Sequence, residues 1–597
     1  MKAEKTFRIN KEKTGVQIKQ LSIKSRSLST ARVVLFTLAL VGVVYFANEK
    51  EPYIITGIIL LFLSTFLILV KYHNQINFKL NHLRFLHTIN KDELSRLNHN
   101  FEGLYEGLEF RDEDHPFSSD LDIFGDNSLF QLINRSGTYG GREKLADWFL
   151  SPSSYQAIQS RQEAIKELVP DISYRQNLQA NAMHFKNASA NIDTCLHWLE
   201  DKDILSKDKV FRSLGILLPI SNIISLSLFL TGMVSYLIPT LSYGISLVIF
   251  GMVNKKIGDT FKKTGESVDL LSSYHLTIRL IEERAVNSSL LLQLKEKFVS
   301  DQIHASIEIA RLKKIFTALE TRSNLIYLMV DIFLLLDIYW VIKAENWRKR
   351  NRTYTSKWFN AIHQMEAINS LASFSYANPD YLFPEISEGK EGISTKQLGH
   401  PLIPFNERVK NDFELDNSKE IGIVTGSNMS GKSTFLRTIG VNLVLAFCGA
   451  PVCSTSFKTG IFSLFSSMRT HDSLKDHVSS FYAELKRLRT LIKLLENNSI
   501  PVFFLLDEIL KGTNSKDRHN GARSLILQVL EENCMGLVST HDLELSEIEN
   551  EDSRILNLSF NSTIENNEVI FDYNLTQGVC SSFNATQLMG KMGIKIR

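Results

Sequence analysis

Polar and apolar positions along the 597-residue chain fall into distinct regimes. Two apolar runs near the N-terminus, Val33–Ala47 and Tyr53–Val70, are separated only by the polar link Asn48–Pro52. A longer block, Ser213–Val253, holds no charged residue, and Pro239 predicts a turn that splits it into Leu214–Leu237 and Leu241–Val253. A hydrocarbon core of about 30 Å takes about 20 apolar helical residues to cross. The individual runs lie near the lower limit, and snorkelling Arg32 and Lys71 lengthen the first pair. The pattern therefore predicts two transmembrane helical hairpins; a short second half leaves a re-entrant pair as the alternative for the second, and two to four spans in all. Asn324–Ile342 is almost as apolar, but Asp331 and Asp337 lie inside it. Two carboxylates at a helix centre are costly in hydrocarbon, so this stretch predicts a helix within a protein bundle.

Helical spacing dominates the remainder up to about residue 388, as in Ser160–Val169, Leu290–Val299 and Ile309–Glu320. From Gly389 onward, short runs such as GIVTG (422–426), VFFLLDE (502–508) and GLVST (536–540) alternate with helical segments. That alternation predicts a parallel sheet with crossover helices. Composition changes this picture little. The charge is balanced, 67 basic against 65 acidic residues, so no global basic excess points to nucleic acid. Locally, the first 32 residues carry Lys2, Lys5, Arg8, Lys11, Lys13, Lys19, Lys24, Arg26 and Arg32 against Glu4 and Glu12. Basic residues on the outer sides of both apolar pairs predict cytoplasmic ends for each hairpin, and the basic arm suits anionic headgroups more than nucleic-acid phosphates. Its length, and the lack of a small-residue cleavage site after Ala47, argue against a secretory signal. Five scattered cysteines without a CxxC pair argue against a disulfide framework or a zinc site.

The chemistry concentrates in Ile421–Thr434, IGIVTGSNMSGKST, which contains GxxxxGKS between an apolar strand and a helical pattern. Gly426, Ser427, Asn428, Met429, Ser430, Gly431, Lys432, Ser433 and Thr434 predict a loop whose backbone N–H groups wrap phosphates. In it, Lys432 reaches the β- and γ-phosphates and Ser433 binds Mg²⁺. Val502–Leu506 predicts a buried strand that ends in Asp507 and Glu508. Asp507 suits the Mg²⁺ shell, and Glu508 suits activation of the attacking water. A further strand leads to His541, placed to sense the γ-phosphate.

Together GSNMSGKST, DEILKGTNSKD (507–517) and STHD (539–542) resemble the MutS family of mismatch-repair ATPases, a branch of the ABC ATPase superfamily. DSLKDHVSSFYAE (472–484) is similar to that family's signature region, with Ser479 in the position of the serine that contacts nucleotide across the dimer and His477 where a glycine is usual. LGHP (398–401) and VKND (409–412) resemble the approach to the phosphate loop. Phe124–Pro152 resembles the start of the family's core domain, with Thr138, Gly141 and Arg142 at matching spacing. The resemblance implies an α/β P-loop, ABC-type ATPase domain at the C-terminus, preceded by an all-α lever and core region that carries the two hairpins. It also implies ATP and Mg²⁺ as cofactors and a homodimer with composite sites, with Lys432, Ser433, Asp507, Glu508 and His541 from one subunit and Ser479 from its partner. Asn514 and Ser515 fall in the segment that crosses the interface, and Tyr573 falls where the family places an aromatic residue or a histidine near adenine.

The departures matter as much. The family's mismatch-reading N-terminal domain with its Phe-x-Glu wedge has no counterpart, and the second apolar pair falls where relatives carry a DNA-gripping clamp. The expected organisation is a basic arm (1–32), hairpin (33–70), helical connector (71–119), core helices (120–212), second hairpin (213–253), lever helices (254–388) and ATPase domain (389–597). The function expected is a multi-pass ATPase of a bacterial-type inner membrane, with its ATPase domain cytoplasmic, a lipid bilayer as partner and mismatch recognition absent; DNA stays open as a partner. An ABC-type transporter is the rival. No LSGGQ signature precedes Asp507, and Asn222 is the one strongly polar side chain of the second apolar block, so little in the spans offers a substrate pathway.

Overall fold

The computed structural model describes residues 2–184, 197–265, 267–300, 303–469, 480–497, 500–565 and 568–581. Helices α1 (Lys2–Asn48) and α2 (Pro52–Leu97) form a long antiparallel pair, with Pro52 at the first position of α2, where its missing N–H costs nothing. Their upper, apolar halves are unburied, whereas the lower halves are joined by polar contacts. Ser25 Oγ donates to Asn77 Oδ1 at 2.6 Å, and Thr14 Oγ1 lies 3.3 Å from His87 Nδ1. At the base, Ala3 and Phe7 are buried against Leu94, Leu97 and Ala377, with the Phe7 and Tyr376 rings edge to face at 5.7 Å. The boundary expected at residue 32 falls within one continuous helix, so the basic arm and the first apolar run are a single rod.

The core between the two apolar pairs begins with α3 (Leu129–Ile133), α4 (Tyr139–Leu150), α5 (Tyr155–Leu168) and α6 (Ile172–Met183). The second apolar pair is α7 (Lys209–Leu230) and α8 (Leu237–Gly265). The turn lies at residues 231–236, with Gly232 at φ 74°, and not at Pro239, which sits in the first turn of α8, where the ring is tolerated. The second half is thus longer than expected. Helices α9 (Ser267–Glu283), α10 (Ser289–Glu296) and α11 (Ala305–Glu320) follow, with a small hairpin of β1 (Val299–Ser300) and β2 (Ile303–His304) between the last two. Next come α12 (Leu325–Leu334) and α13 (Leu336–Ala377).

The stretch expected as one bundle helix, Asn324–Ile342, is two helices broken at Leu335, whose φ is 49°. The physical reason lies in the two carboxylates. Asp331 Oδ1 accepts the Asp337 N–H at 2.8 Å across the break, and Arg322 Nε lies 3.0 Å from Asp337 Oδ2. Both are buried as anticipated, while Met329, Val330 and Tyr339 face outward. Asn222 of α7 locks this unit to the hairpin. Its amide donates to Ser246 Oγ and the Phe333 carbonyl, and its carbonyl accepts from Ser242 Oγ at 2.6 Å.

From this break α13 runs through the core. Glu345 accepts the N–H groups of residues 204–206, and further along the helix meets α4 at two glycines. A Cβ on Gly141 would lie 2.0 Å from Glu366 Oε2, so only glycine permits this approach. Thr138, the N-cap of α4, donates its hydroxyl to the same carboxylate.

The C-terminal region is α/β. Strands β3 (Glu385–Ile386), β4 (Ile393–Leu398), β5 (Asn411–Leu415) and β7 (Ser456–Thr459) form a four-stranded sheet ordered β3-β7-β4-β5. A six-stranded sheet comprises β6 (Ile421–Gly426), β8 (Ser463–Ser467), β9 (Val502–Asp507), β10 (Cys534–Thr540), β11 (Ile555–Glu565) and β12 (Glu568–Gln577). Its order is β12-β11-β6-β10-β9-β8, parallel except at β12. Helices α14 (Lys432–Cys448), α15 (Ser480–Asn497), α16 (Ser515–Val529) and the short α17 (Ile548–Glu551) connect it. The expected parallel sheet with crossover helices is present. Cys448, Cys453, Cys534 and Cys580 are free and buried, and Cys195 lies outside the described residues.

Burial raises the Glu366 carboxyl from 4.5 to about 7. Its folded-state proton therefore stabilises the protein below the unfolded value, and that stabilisation is lost as pH rises through about 7. A shift of this size is worth about 3 kcal/mol at most. Thermal unfolding of the wild type should show stability falling between pH 5 and 8, and Glu366→Gln, which keeps the Thr138 acceptor, should flatten that dependence.

Candidate functional site

Strand β6 is wholly buried and ends at Gly426, where a Cβ would lie 2.7 Å from Ser430 Oγ and 2.9 Å from the Phe560 carbonyl. The loop that follows turns back over the strand end and enters α14 through Gly431 at φ 106°, a left-handed conformation that favours glycine. Lys432 begins the helix, 4% exposed, and its ammonium donates to the carbonyls of Gly426 and Ser427, each at 3.0 Å. Burial pushes this ammonium below its ordinary range, against the opposing pull of Glu508 and Asp507. The Ser427 and Ser430 hydroxyls are buried without a protein partner. Helix α14 points its N-terminal N–H groups, and the positive end of its dipole, at this loop.

The neighbouring strands deliver the acids. Asp507 ends β9 and accepts from the Ser539 hydroxyl of the adjacent β10, which fixes its carboxylate. Glu508 follows at φ 50°, its N–H bonded to the Ser539 carbonyl at 3.0 Å. That backbone turns its side chain back over the sheet edge. His541 Nε2 lies 2.6 Å from Glu508 Oε1 and 3.4 Å from Lys432 Nζ, and Lys511 Nζ lies 3.0 Å from Glu508 Oε2. The hydrogen bond from His541, with help from Lys511, holds the Glu508 carboxyl down to about 2 against its burial, so the group is anionic.

These parts open on a cavity of about 580 Å³ at the C-terminal edge of the parallel strands, where such sheets present their ligand residues. Asn428, Met429, Ser430, Gly431, Lys432, Ser433, Thr434 and Glu508 line it, opposite an apolar wall of Leu402, Ile403, Pro404, Val409 and Phe560. Tyr573, 44% exposed, joins the lining, and its ring would meet a Cβ on Gly431 at 3.1 Å. Of the predicted residues, the structure places Asn428–Thr434, Glu508 and Tyr573 around this space; His541 is joined to it through Glu508 and Lys432, and Asp507 stands behind Glu508 at the end of β9. Asn514 caps α16 and, with Ser515, is exposed beyond that space, and Ser479 and His477 lie outside the described residues.

Sequence reasoning missed three contributors. Lys511 had an available signal, standing three residues after Glu508. Ser539 lay within the quoted STHD without a role. Leu402, Ile403 and Pro404 of the apolar wall come from the chain between the LGHP and VKND stretches and carry no motif of their own, and Phe560 comes from β11. A further set of contacts ties the nucleotide domain to the preceding chain. Asp120 accepts from Ser466 Oγ at 2.8 Å and from the N–H groups of Met468 and Arg469, while Asp122 pairs with Arg469 at 2.8 Å and with Arg437 of α14 at 3.3 Å.

Comparison with known proteins meets this geometry from another side. Residues 422–591 match the family model for MutS domain V. The chain is 28% identical over 239 residues to the DNA mismatch repair protein MutS of Thermotoga maritima, covering 40% of this chain and 29% of that protein. It is 30% identical over 227 residues to MutS of Fusobacterium nucleatum, covering 37% and 25%. With the DNA mismatch repair protein MSH3 of Debaryomyces hansenii it shares 28% over 270 residues, covering 42% and 26%. The matched stretch spans only 25% to 29% of these relatives' own length. Within that stretch lie the loop, the acid-bearing strand and His541, and it is through this domain V that the chain is similar to the MutS family.

Proposed function

We propose that the chain is a membrane-anchored ATPase in which nucleotide closes a dimer and the closure is coupled to DNA. The convergence of the 428–434 loop, including Lys432, with Glu508 on one cavity, with His541 bonded to Glu508 and 3.4 Å from Lys432, carries the enzymatic reading. The two buried, unpartnered serine hydroxyls and the cationic Lys432 suit the phosphates of ATP, and the apolar wall with Tyr573 suits its base. Ser433 and Asp507 would supply oxygen ligands to Mg²⁺, whose chemistry when bound is to neutralise phosphate charge. Glu508 orients the attacking water; its hold on His541 and Lys511 keeps it ionised and aimed. The partner subunit's Ser479 completes the site on this reading, and the exposed Asn514–Asp517 turn faces the interface.

Among the described residues, four helices are long and apolar enough to cross a bilayer: α1, α2, α7 and the first part of α8. They support placing both hairpins in an inner membrane of bacterial type, with the nucleotide domain on the cytoplasmic side where the basic flanks lie. Both apolar pairs are carried away from the nucleotide domain by unbroken helix. Phe7 docks on Tyr376, and about 38 Å of α1 separates it from Arg32. Gly215 of α7 packs on Ile338, about 57 Å along α13 from Tyr376. The relatives' printed role in DNA mismatch repair supports the coupling to DNA and lends nothing to a transporter.

Glu508→Gln should reduce ATP turnover by at least about 100-fold while nucleotide binding persists; unchanged turnover in a phosphate-release assay would remove Glu508 from its role. Lys432→Ala should instead abolish nucleotide retention, measured by filter binding. On alkaline extraction of membranes the full-length chain should stay in the pellet, and its release into the aqueous fraction would end the anchoring proposal.

A further inference from the structure

The exposed face of α13 carries charge of one sign. Lys343, Arg350 and Lys357 recur every seven residues, nearly two helical turns, so they line one edge at intervals of about 10.5 Å. Lys349 and Arg352 lie farther round the same exposed half of the helix, about 100° and about 160° from Arg350, and Asn346, Thr353 and Ser356 lie between, all exposed. The helix has three acids, Asp337, Glu345 and Glu366, which are 2%, 3% and 1% exposed and are committed inward, to Arg322, to the N–H groups of 204–206 and to Thr138. The outer face therefore has no carboxylate of its own.

Some exposed cations elsewhere have carboxylate partners close at hand. Arg8 pairs with Glu4, Lys144 with Asp147, Arg279 with Glu283 and Arg523 with Glu551. On α13, Lys349 reaches Asp203 at 3.2 Å and Lys343 lies over the Tyr339 ring at 4.5 Å. Among the described residues, Arg350, Arg352 and Lys357 have no carboxylate within ion-pair distance. Concentrated like charge on a rigid helix raises the energy of the free protein and is relieved by an anionic partner.

The layout selects among polyanions. Lys343, beside Tyr339 and Trp340, sits at the end of α13 near the second hairpin, but the helix then leads away toward the nucleotide domain. A planar headgroup layer meets only that end, whereas a linear polyanion meets the whole row. Lysine, arginine, serine, threonine and asparagine together are the donor set that contacts nucleic-acid phosphates.

We propose that the exposed face of α13, centred on Arg350, Arg352 and Lys357, binds the phosphodiester backbone of duplex DNA without reading its sequence. The inference rests on the proposed coupling to DNA and names the surface that provides it. Each phosphate neutralised contributes about 0.9 to the slope of log affinity against log salt.

The test uses the full-length protein in nanodiscs of neutral phosphatidylcholine, with fluorescence anisotropy of a labelled duplex across a salt series. Arg350→Ala/Arg352→Ala/Lys357→Ala should make the salt slope shallower by about 3 and weaken low-salt affinity at least tenfold, with ATP turnover in the absence of DNA and the melting temperature unchanged. Arg350→Lys/Arg352→Lys should preserve the slope. Duplex binding by the wild type with an unaltered slope in the triple variant overturns this surface and leaves the DNA coupling standing. Failure of the wild type to bind duplex in any nucleotide state overturns both. If the same three residues instead control binding to phosphatidylglycerol vesicles and not to duplex, the face belongs to lipid and the inference falls.

Discussion

The unbroken hydrogen-bond ladder of α13 is the constraint on which the rest of the architecture depends. Its 42 residues reach about 63 Å, and nothing inside them, neither proline nor a packing gap, offers a bend. One end is set by the Asp331–Asp337–Arg322 lock at the Leu335 break and the other by Glu366 under the glycines of α4. The buried Asp337–Arg322 ion pair is expensive to separate, and the buried Glu366 carboxyl is held by the Thr138 hydroxyl, so each junction holds one arrangement firmly. A displacement at the α4 end therefore reaches the second hairpin as movement of a rod and is not absorbed on the way.

The nucleotide domain grips that rod indirectly. Asp120 and Asp122, from the chain that follows the first helical pair, seize the end of β8 and the side of α14. Arg487 of α15 donates to the carbonyls of His115 and Pro116 from the opposite side. The helix that begins at the phosphate loop and the end of the edge strand β8 are thus tied to the same short segment. That segment continues through the buried Arg96 and Arg135 side chains, which share Glu93, to the base of α1 and α2.

Much of the site was legible in the sequence because its chemistry is local. A glycine-rich loop must follow its strand and precede its helix in the chain, so the spacing of Gly426, Gly431 and Lys432 carries the geometry with it. Asp507 and Glu508 were readable for the same reason, as a strand's end is marked by where its apolar run stops. What stayed hidden depends on contacts between distant residues. Asp120 with Ser466, Asn222 with Phe333 and Glu345 with Ile204 are pairs that no period reveals. The turn of the second hairpin was misplaced for a smaller reason: proline suits the first turn of a helix as well as the loop before it, and Gly232 was the better punctuation. The basic arm looked like a separate unit because its charge changes at residue 32, whereas backbone continuity follows helix propensity and ignores that change.

The amide of Asn222 donates to a carbonyl 111 residues further along the chain. At ordinary synthesis rates of about 5–20 residues per second, that acceptor emerges from the ribosome about 5–20 s after the asparagine. In the proposed membrane placement, the newborn second hairpin would for that interval hold a strongly polar group with an unmet demand inside lipid. Biogenesis then has an order: the pair can enter the bilayer early, but it becomes settled only when α12 arrives to close the triad. Chains stalled between residues 253 and 333 would be natural clients for insertion factors and quality-control proteases.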